Sequence, residues 1–255
     1  LLSLLAHCYM LTNDVENAST YLDKANRVDP DNVSVCWNNI RLLLLNKNVP
    51  DALFMARKTI ERYPHHAEGL GVLGACLKMG SEFDESILYL NKAISLKPDY
   101  AEALINRGLI KLTQKDKLGA LFDLETAHKL KPHIKQIWDL VINLNVELNQ
   151  FEQAISLLAK MIKSDPSNEN YFANLGLCHQ HLGNLETAIE NYQQAIQIKP
   201  DHVSSYLNMG TALKNNGDLT AAIGSFKQAI KINPDFAEAY YNMGIVLNDK
   251  GDLEA

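Results

Sequence analysis

Apolar residues along this chain recur three and four apart, break, and then recur again. Leu70, Leu73 and Leu77 form one such run and Ile87, Leu90 and Ile94 the next, the period of a helix with one apolar face. The pair of runs itself repeats. Pro30, Pro64, Pro98, Pro132, Pro166, Pro200 and Pro234 stand 34 residues apart without a slip. At an average proline usage of about 5%, six such coincidences have a probability on the order of 10⁻⁸. The spacing predicts an all-α array of two-helix repeats, about fifteen helices in all, in which each repeat packs on its neighbours and no single core exists. With the proline as position 32, complete repeats occupy 33–66, 67–100, 101–134, 135–168, 169–202 and 203–236, and partial repeats occupy 1–32 and 237–255.

Within a repeat, small residues face large ones at fixed offsets. Position 8 is Gly74, Gly108, Gly176, Gly210 and Gly244, and position 24 is Leu22, Leu90, Leu124, Leu158, Tyr192 and Phe226, so the two helices of a repeat can cross closely. Two repeats depart from this. Ile40 is offset by Ala56, which predicts conserved volume, whereas Ile142 faces Leu158 and Met161 and predicts a wider crossing in 135–168. Position 15 is Asn13, Asn149, Gly183, Gly217 and Gly251, which predicts a left-handed residue closing the first helix. The proline closes the second. Asp99 with Glu102, and Asp235 with Glu238, have the spacing of a capping pair for the next helix.

This arrangement resembles the tetratricopeptide repeat family. The residues that carry the resemblance are Trp138 or Tyr240 at position 4, glycine at 8, alanine at 20, an aromatic at 24, alanine at 27 and proline at 32. The stretch from Tyr206 to Asp235 is close to the family's consensus, and the repeats at 33–66 and 135–168 are degenerate. The resemblance implies a right-handed α-solenoid whose first helices line a concave groove at positions 2, 5, 6, 9, 12 and 13. It also implies a non-enzymatic protein–protein interaction scaffold that takes a peptide segment in that groove. Position 6 reads Asn38, Asn106, Asn174, Asn208 and Asn242 in five of seven repeats. An asparagine amide offers a donor and an acceptor to a peptide bond, whatever side chains that peptide carries. The row is similar to the asparagine ladder in the repeat region of O-linked N-acetylglucosamine transferase, which implies a grip on substrate backbone. Trp37, Leu44 and Leu45 also fall on groove positions and are expected to anchor apolar side chains. The basic groove residues Arg41, Lys78 and Lys214 lie far apart in sequence, which leaves a terminal carboxylate little to pair with.

Charge and chemistry narrow the reading further. A net charge of −6 argues against a phosphate-binding surface, and so against nucleic acid as a partner. No apolar run approaches the roughly 20 residues that span a bilayer, so no membrane association is expected. Cys8, Cys36, Cys76 and Cys178 show no paired spacing, and three of them share position 10 on the packed side of the first helix. They are expected to be buried thiols in a reducing compartment, the cytoplasm. His179 and His181 are two apart, the wrong spacing for a metal pair on a helix, and His65 and His66 fall in a loop between repeats, where surface positions are expected. The glycines from Gly69 to Gly74 lie inside a helix and follow no strand, so they make no phosphate loop. No cofactor, metal or catalytic set is expected. Both ends of the chain fall inside a repeat, which reads as a fragment of a longer protein. Two further readings stay open: a substrate-selecting or scaffolding arm of a larger enzyme of glycosyltransferase or sulfotransferase type, and a self-association module with a homo-oligomer as its product.

Overall fold

The computed structural model describes residues 1–132 and 134–251. Among them fifteen helices follow one another: α1 Leu2–Leu11, α2 Val15–Val28, α3 Val33–Leu45, α4 Val49–Arg62, α5 Ala67–Met79, α6 Phe83–Leu96, α7 Ala101–Thr113, α8 Lys117–Leu130, α9 Lys135–Glu147, α10 Phe151–Ser164, α11 Glu169–His181, α12 Leu185–Ile198, α13 Val203–Asn215, α14 Leu219–Ile232 and α15 Ala237–Lys250. The fold is an all-α helical-repeat solenoid. Among the described residues α1, α3, α5, α7, α11 and α13 each pack on the even helix that follows, and Ile142 of α9 shares a core with Ala154 and Leu158 of α10. The chain forms two compact units, Leu1–Ile137 and Trp138–Ala255, with the boundary inside α9.

In the seven hairpins from α1–α2 to α13–α14 one short segment closes the first helix and opens the second. Position 15 is left-handed not only at Asn13, Asn149, Gly183, Gly217 and Gly251 but also at Lys47, Ser81 and Lys115, whose φ values are 59°, 64° and 64°. The composition of those three residues gave no sign of it. The next residue donates its backbone N–H five residues back, from Asp14 to Tyr9 O at 2.9 Å and from Asp218 to Leu213 O at 3.0 Å, which satisfies an otherwise orphaned carbonyl. In four of the hairpins its side chain also starts the following helix. Asp14, Asn48, Asp116 and Asp218 accept from the backbone N–H of Asn17, Asp51, Gly119 and Ala221. The capping pairs expected at Asp99 and Asp235 do not form. Tyr100 and Phe236 occupy those N-cap positions and make no side-chain cap, because the helices begin one residue later than the sequence spacing suggested.

Close crossing follows from the small-to-large pattern. A Cβ placed on Gly74, Gly176 or Gly210 would lie 2.7 Å from Leu90 Cγ, 2.7 Å from Tyr192 Cε1 or 2.6 Å from Phe226 Cε1. In the first compact unit Ile40 and Ala56 are both fully buried in one cluster with Trp37, Leu73 and Leu77. The exchange of volume between them does not restore the tight approach: α3 and α4 touch more sparsely than the glycine-bearing hairpins α5–α6 and α7–α8. A β-branched side chain at the crossing holds the backbones apart, and the alanine opposite does not draw them in. In the second compact unit Ile142, Leu158 and Met161 share a core with Tyr171, and Phe226 anchors the next core with Leu207 and Val246.

The packed side of the first helices buries two of the three position-10 cysteines. Cys76 and Cys178 are buried, and desolvation pushes their thiols up to about 12 and about 11. Cys8 is exposed and Cys36 half-buried, contrary to the uniform burial expected. Cys76 shares a core with Ala52 and Ala56 of α4, and Cys178 with Ala154 and Leu158 of α10, so the preceding helix shields each of these thiols.

Candidate peptide-binding groove

In the first compact unit the groove positions of α3, α5 and α7 are already engaged within the fold. Asn38 is only 4% exposed. Its Nδ2 donates to Ser3 O at 2.8 Å and Ser3 Oγ at 2.9 Å, and its Oδ1 accepts from Arg41 at 2.9 Å. Asn106 accepts from Lys78 Nζ at 2.6 Å. Burial drives the Lys78 ammonium below its usual range, since removal from water penalises the charged form. Glu68 pairs with Lys97, and Glu102 with Lys131, so the acidic side chains at position 2 serve as ties to the end of their own repeats.

Trp37 does not offer apolar surface to a ligand. It is 1% exposed, belongs to the core, and stacks on His66 with ring planes 1° apart and centroids at 6.1 Å. His66 is not a surface loop residue either. Its Nδ1 accepts from Gly69 N–H at 3.0 Å and so caps α5. Leu44 packs against the same core as Trp37, and only Leu45, 40% exposed, keeps an open apolar flank. The degenerate repeat has turned its apolar residues inward. Beside it, an open cleft of about 750 Å³ is lined by Leu2, Val35 and Trp37 together with His7, Arg41 and Glu68.

The second compact unit is different. Asn174 on α11, Asn208 on α13 and Asn242 on α15 are half-buried at the same register position. Among the described residues their amides make no intramolecular hydrogen bond, whereas the asparagines of the first unit do. Asn174 also borders a polar cleft of about 370 Å³ shared with Asp139, Asn143, Asn168 and Asn170. Position 6 alone did not point to these four. Asp139 and Asn143 stand at positions 5 and 9 of α9 and Asn170 at position 2 of α11, so the wider set of groove positions carries that signal. Asn168 caps α11 through Asn170 N–H at 3.1 Å.

The comparisons with known proteins agree with this architecture. A family model described as TPR repeat matches residues 181–217 and 212–251, and one described as tetratricopeptide repeat matches residues 1–32. Residues 1–32 and 181–251 thus match tetratricopeptide repeats. The tetratricopeptide repeat-containing protein trd-1 of Caenorhabditis elegans is 25% identical over 157 residues, which cover 61% of this chain and 20% of that protein. The chain thus spans about a fifth of the length of the curated relative it matches. Among solved structures, YrrB, described as a TPR protein with an unusual peptide-binding site, superposes with a TM-score of 0.64 at 19% identity, covering 73% of this chain and 96% of YrrB. MamA gives 0.59 at 22% identity over 68% of this chain and 94% of its own. The Naa15/Naa10 complex bound to HypK gives 0.59 at 14% identity, with 97% of this chain and 38% of the matched chain covered. At these identities the likeness is one of tetratricopeptide fold. Among the described residues no helix is long and apolar enough to cross a membrane.

Proposed function

We propose that this tetratricopeptide array is a protein-interaction module that holds an extended peptide by its main chain, and that it catalyses no reaction itself. The observation that carries the reading is the contrast between the two compact units. Asn174, Asn208 and Asn242 present amides without an internal partner on three successive odd helices, while Asn38 and Asn106 spend theirs inside the fold. A half-buried amide that lacks a partner is poised to pair with a peptide bond, because each such pair replaces water on both sides. Asn143 and Asn170 extend the same uncharged polar wall, and Asp139 adds a single carboxylate that favours a basic or N–H-rich residue at that point of the peptide. The peptide-binding site ascribed to YrrB supports the reading by likeness of fold. Leu45 supplies a separate apolar contact in the first unit. Asn38, Asn106, Trp37 and Leu44 act there as structural residues.

A displayed peptide library panned on the wild-type chain and on the triple Asn174→Ala, Asn208→Ala, Asn242→Ala variant tests this. Each lost pair is expected to cost roughly 0.5–1.5 kcal/mol, so peptides selected by the wild type should bind the variant at least tenfold more weakly. They should also lose affinity when the contacted peptide nitrogens are methylated. Equal binding by a folded variant would discard the ladder.

A further inference from the structure

The even helices carry an apolar row that the groove does not use. The sixth residue of α4, α6 and α8 is Phe54, Leu88 and Phe122, and these are 71%, 51% and 67% exposed. Leu118, one turn before Phe122, is 65% exposed, and Leu96 and Leu130 at the ends of α6 and α8 extend the patch. The same position of α10, α12 and α14 is Ser156, Glu190 and Gly224, also exposed. Position within the repeat therefore does not demand an apolar residue. The first unit departs from the rule that solvent-facing helix positions are polar, and it does so three times in register. Arg57 on α4 grips Glu85 on α6 through two bonds of 2.6 Å, which braces the first two members of the row side by side.

We propose that this row is an interface for a second copy of the same chain, paired about a two-fold axis that runs along Phe54, Leu88 and Phe122. Area and charge argue for self-pairing. The six apolar side chains present on the order of 500–600 Å² to solvent, at the upper end for a patch on a monomer. With their polar margin they approach the ~800 Å² that each partner contributes to a standard interface. On α6, Asp84 precedes Leu88 by one turn and Lys92 follows it by one turn, and both are exposed. A two-fold axis along the row lays α6 antiparallel on α6 of the second copy. Leu88 then meets Leu88, and Asp84 of each copy lies against Lys92 of the other. An isologous contact requires this kind of self-complementarity. The pairing leaves the odd helices free, so it is compatible with peptide binding and does not depend on it.

Sedimentation velocity on the whole chain from about 1 to about 200 μM, a span suited to an interface of this modest area, is the test. The mass is expected to double over that range. Leu88→Glu, which sets two like charges on the axis, should weaken association at least tenfold with an unchanged helical circular dichroism spectrum and melting temperature, and Ser156→Glu at the matching position of α10 should leave it unaltered. Asp84→Lys and Lys92→Glu should each disperse the dimer alone, and an equimolar mixture of the two variants should associate again as a heterodimer. A wild-type chain that stays monomeric, a dimer indifferent to Leu88→Glu, or a mixture that fails to recover would each overturn the proposal.

Discussion

Gly210→Ala and Gly224→Ala make the same chemical change fourteen residues apart in one repeat and are expected to have opposite effects. At an exposed helical position the added methyl stabilises by roughly 0.5–1 kcal/mol, because glycine loses more backbone freedom on folding. Gly224 on α14 has nothing within 4 Å of a built Cβ, so it should gain that amount. At Gly210 on α13 the Cβ would sit 2.6 Å from Phe226 Cε1, 2.8 Å from its Cδ1 and 2.9 Å from its Cζ. The ring is fully buried among Leu207, Ala222 and Ala229 and has no free volume into which to retreat about 1 Å. Overpacking of this kind costs about 1–3 kcal/mol. Set against the propensity gain, Gly210→Ala should destabilise by about 1–2 kcal/mol. Urea unfolding followed by circular dichroism, with amide hydrogen exchange in α13 and α14 to localise the change, measures both. Backbone movement in a solenoid can be confined to neighbouring repeats. A neutral or stabilising Gly210→Ala would refute the claim that the crossing is set by van der Waals contact at position 8.

Other expectations follow from the same structure. Asp123 is fully buried between Arg107, which donates to it at 2.8 and 2.6 Å, and Lys111 at 2.9 Å. Asp123→Ala leaves two partly buried cations without their counter-charge and should cost about 3–5 kcal/mol in urea unfolding; a loss below about 1 kcal/mol would mean that the pair is solvated. Lys47→Gly and Lys115→Gly replace left-handed residues with φ near 60° and should each raise stability by up to about 1 kcal/mol, which a thermal melt resolves. Burial is the main cause that holds His7, His66 and His202 below the usual histidine range. The unfolded chain therefore takes up protons first, and stability present above about pH 6.5 is lost as pH falls below it. Urea midpoints at pH 7.5 and pH 5.5 should show the drop, and His66→Asn, which keeps an acceptor for Gly69 N–H but removes the titration, should make it smaller. An unchanged slope in that variant would assign the pH dependence elsewhere.

The helical repeat, its register and its close crossings could be read from the chain because they rest on local constraints. Proline just past a helix end stops that helix, and a glycine at position 8 opposite a large residue at position 24 fits only if the two helices touch. What lay beyond reach was the fate of side chains at degenerate positions. Lys47, Ser81 and Lys115 adopt the left-handed conformation because the turn between helices demands it, and no propensity of their own announces this. Trp37 and Asn38 occupy groove positions by count, yet one is core and the other a tie to α1, because α4 and α5 bring apolar residues to the indole and α1 brings Ser3 to the amide. His66, expected at the surface, caps a helix under an indole ring.

Repeat length, the succession of helices and their apolar faces follow from the chain alone, since periodicity and backbone stereochemistry act within a few residues. Which asparagines are engaged and which are open, which cysteines are shielded, and which apolar residues remain in solvent come from packing between helices. Each of these depends on what an adjacent helix brings to the same point in space. Adjacency across thirty or more residues of chain is set by packing between repeats, and the pattern within any one repeat does not contain it.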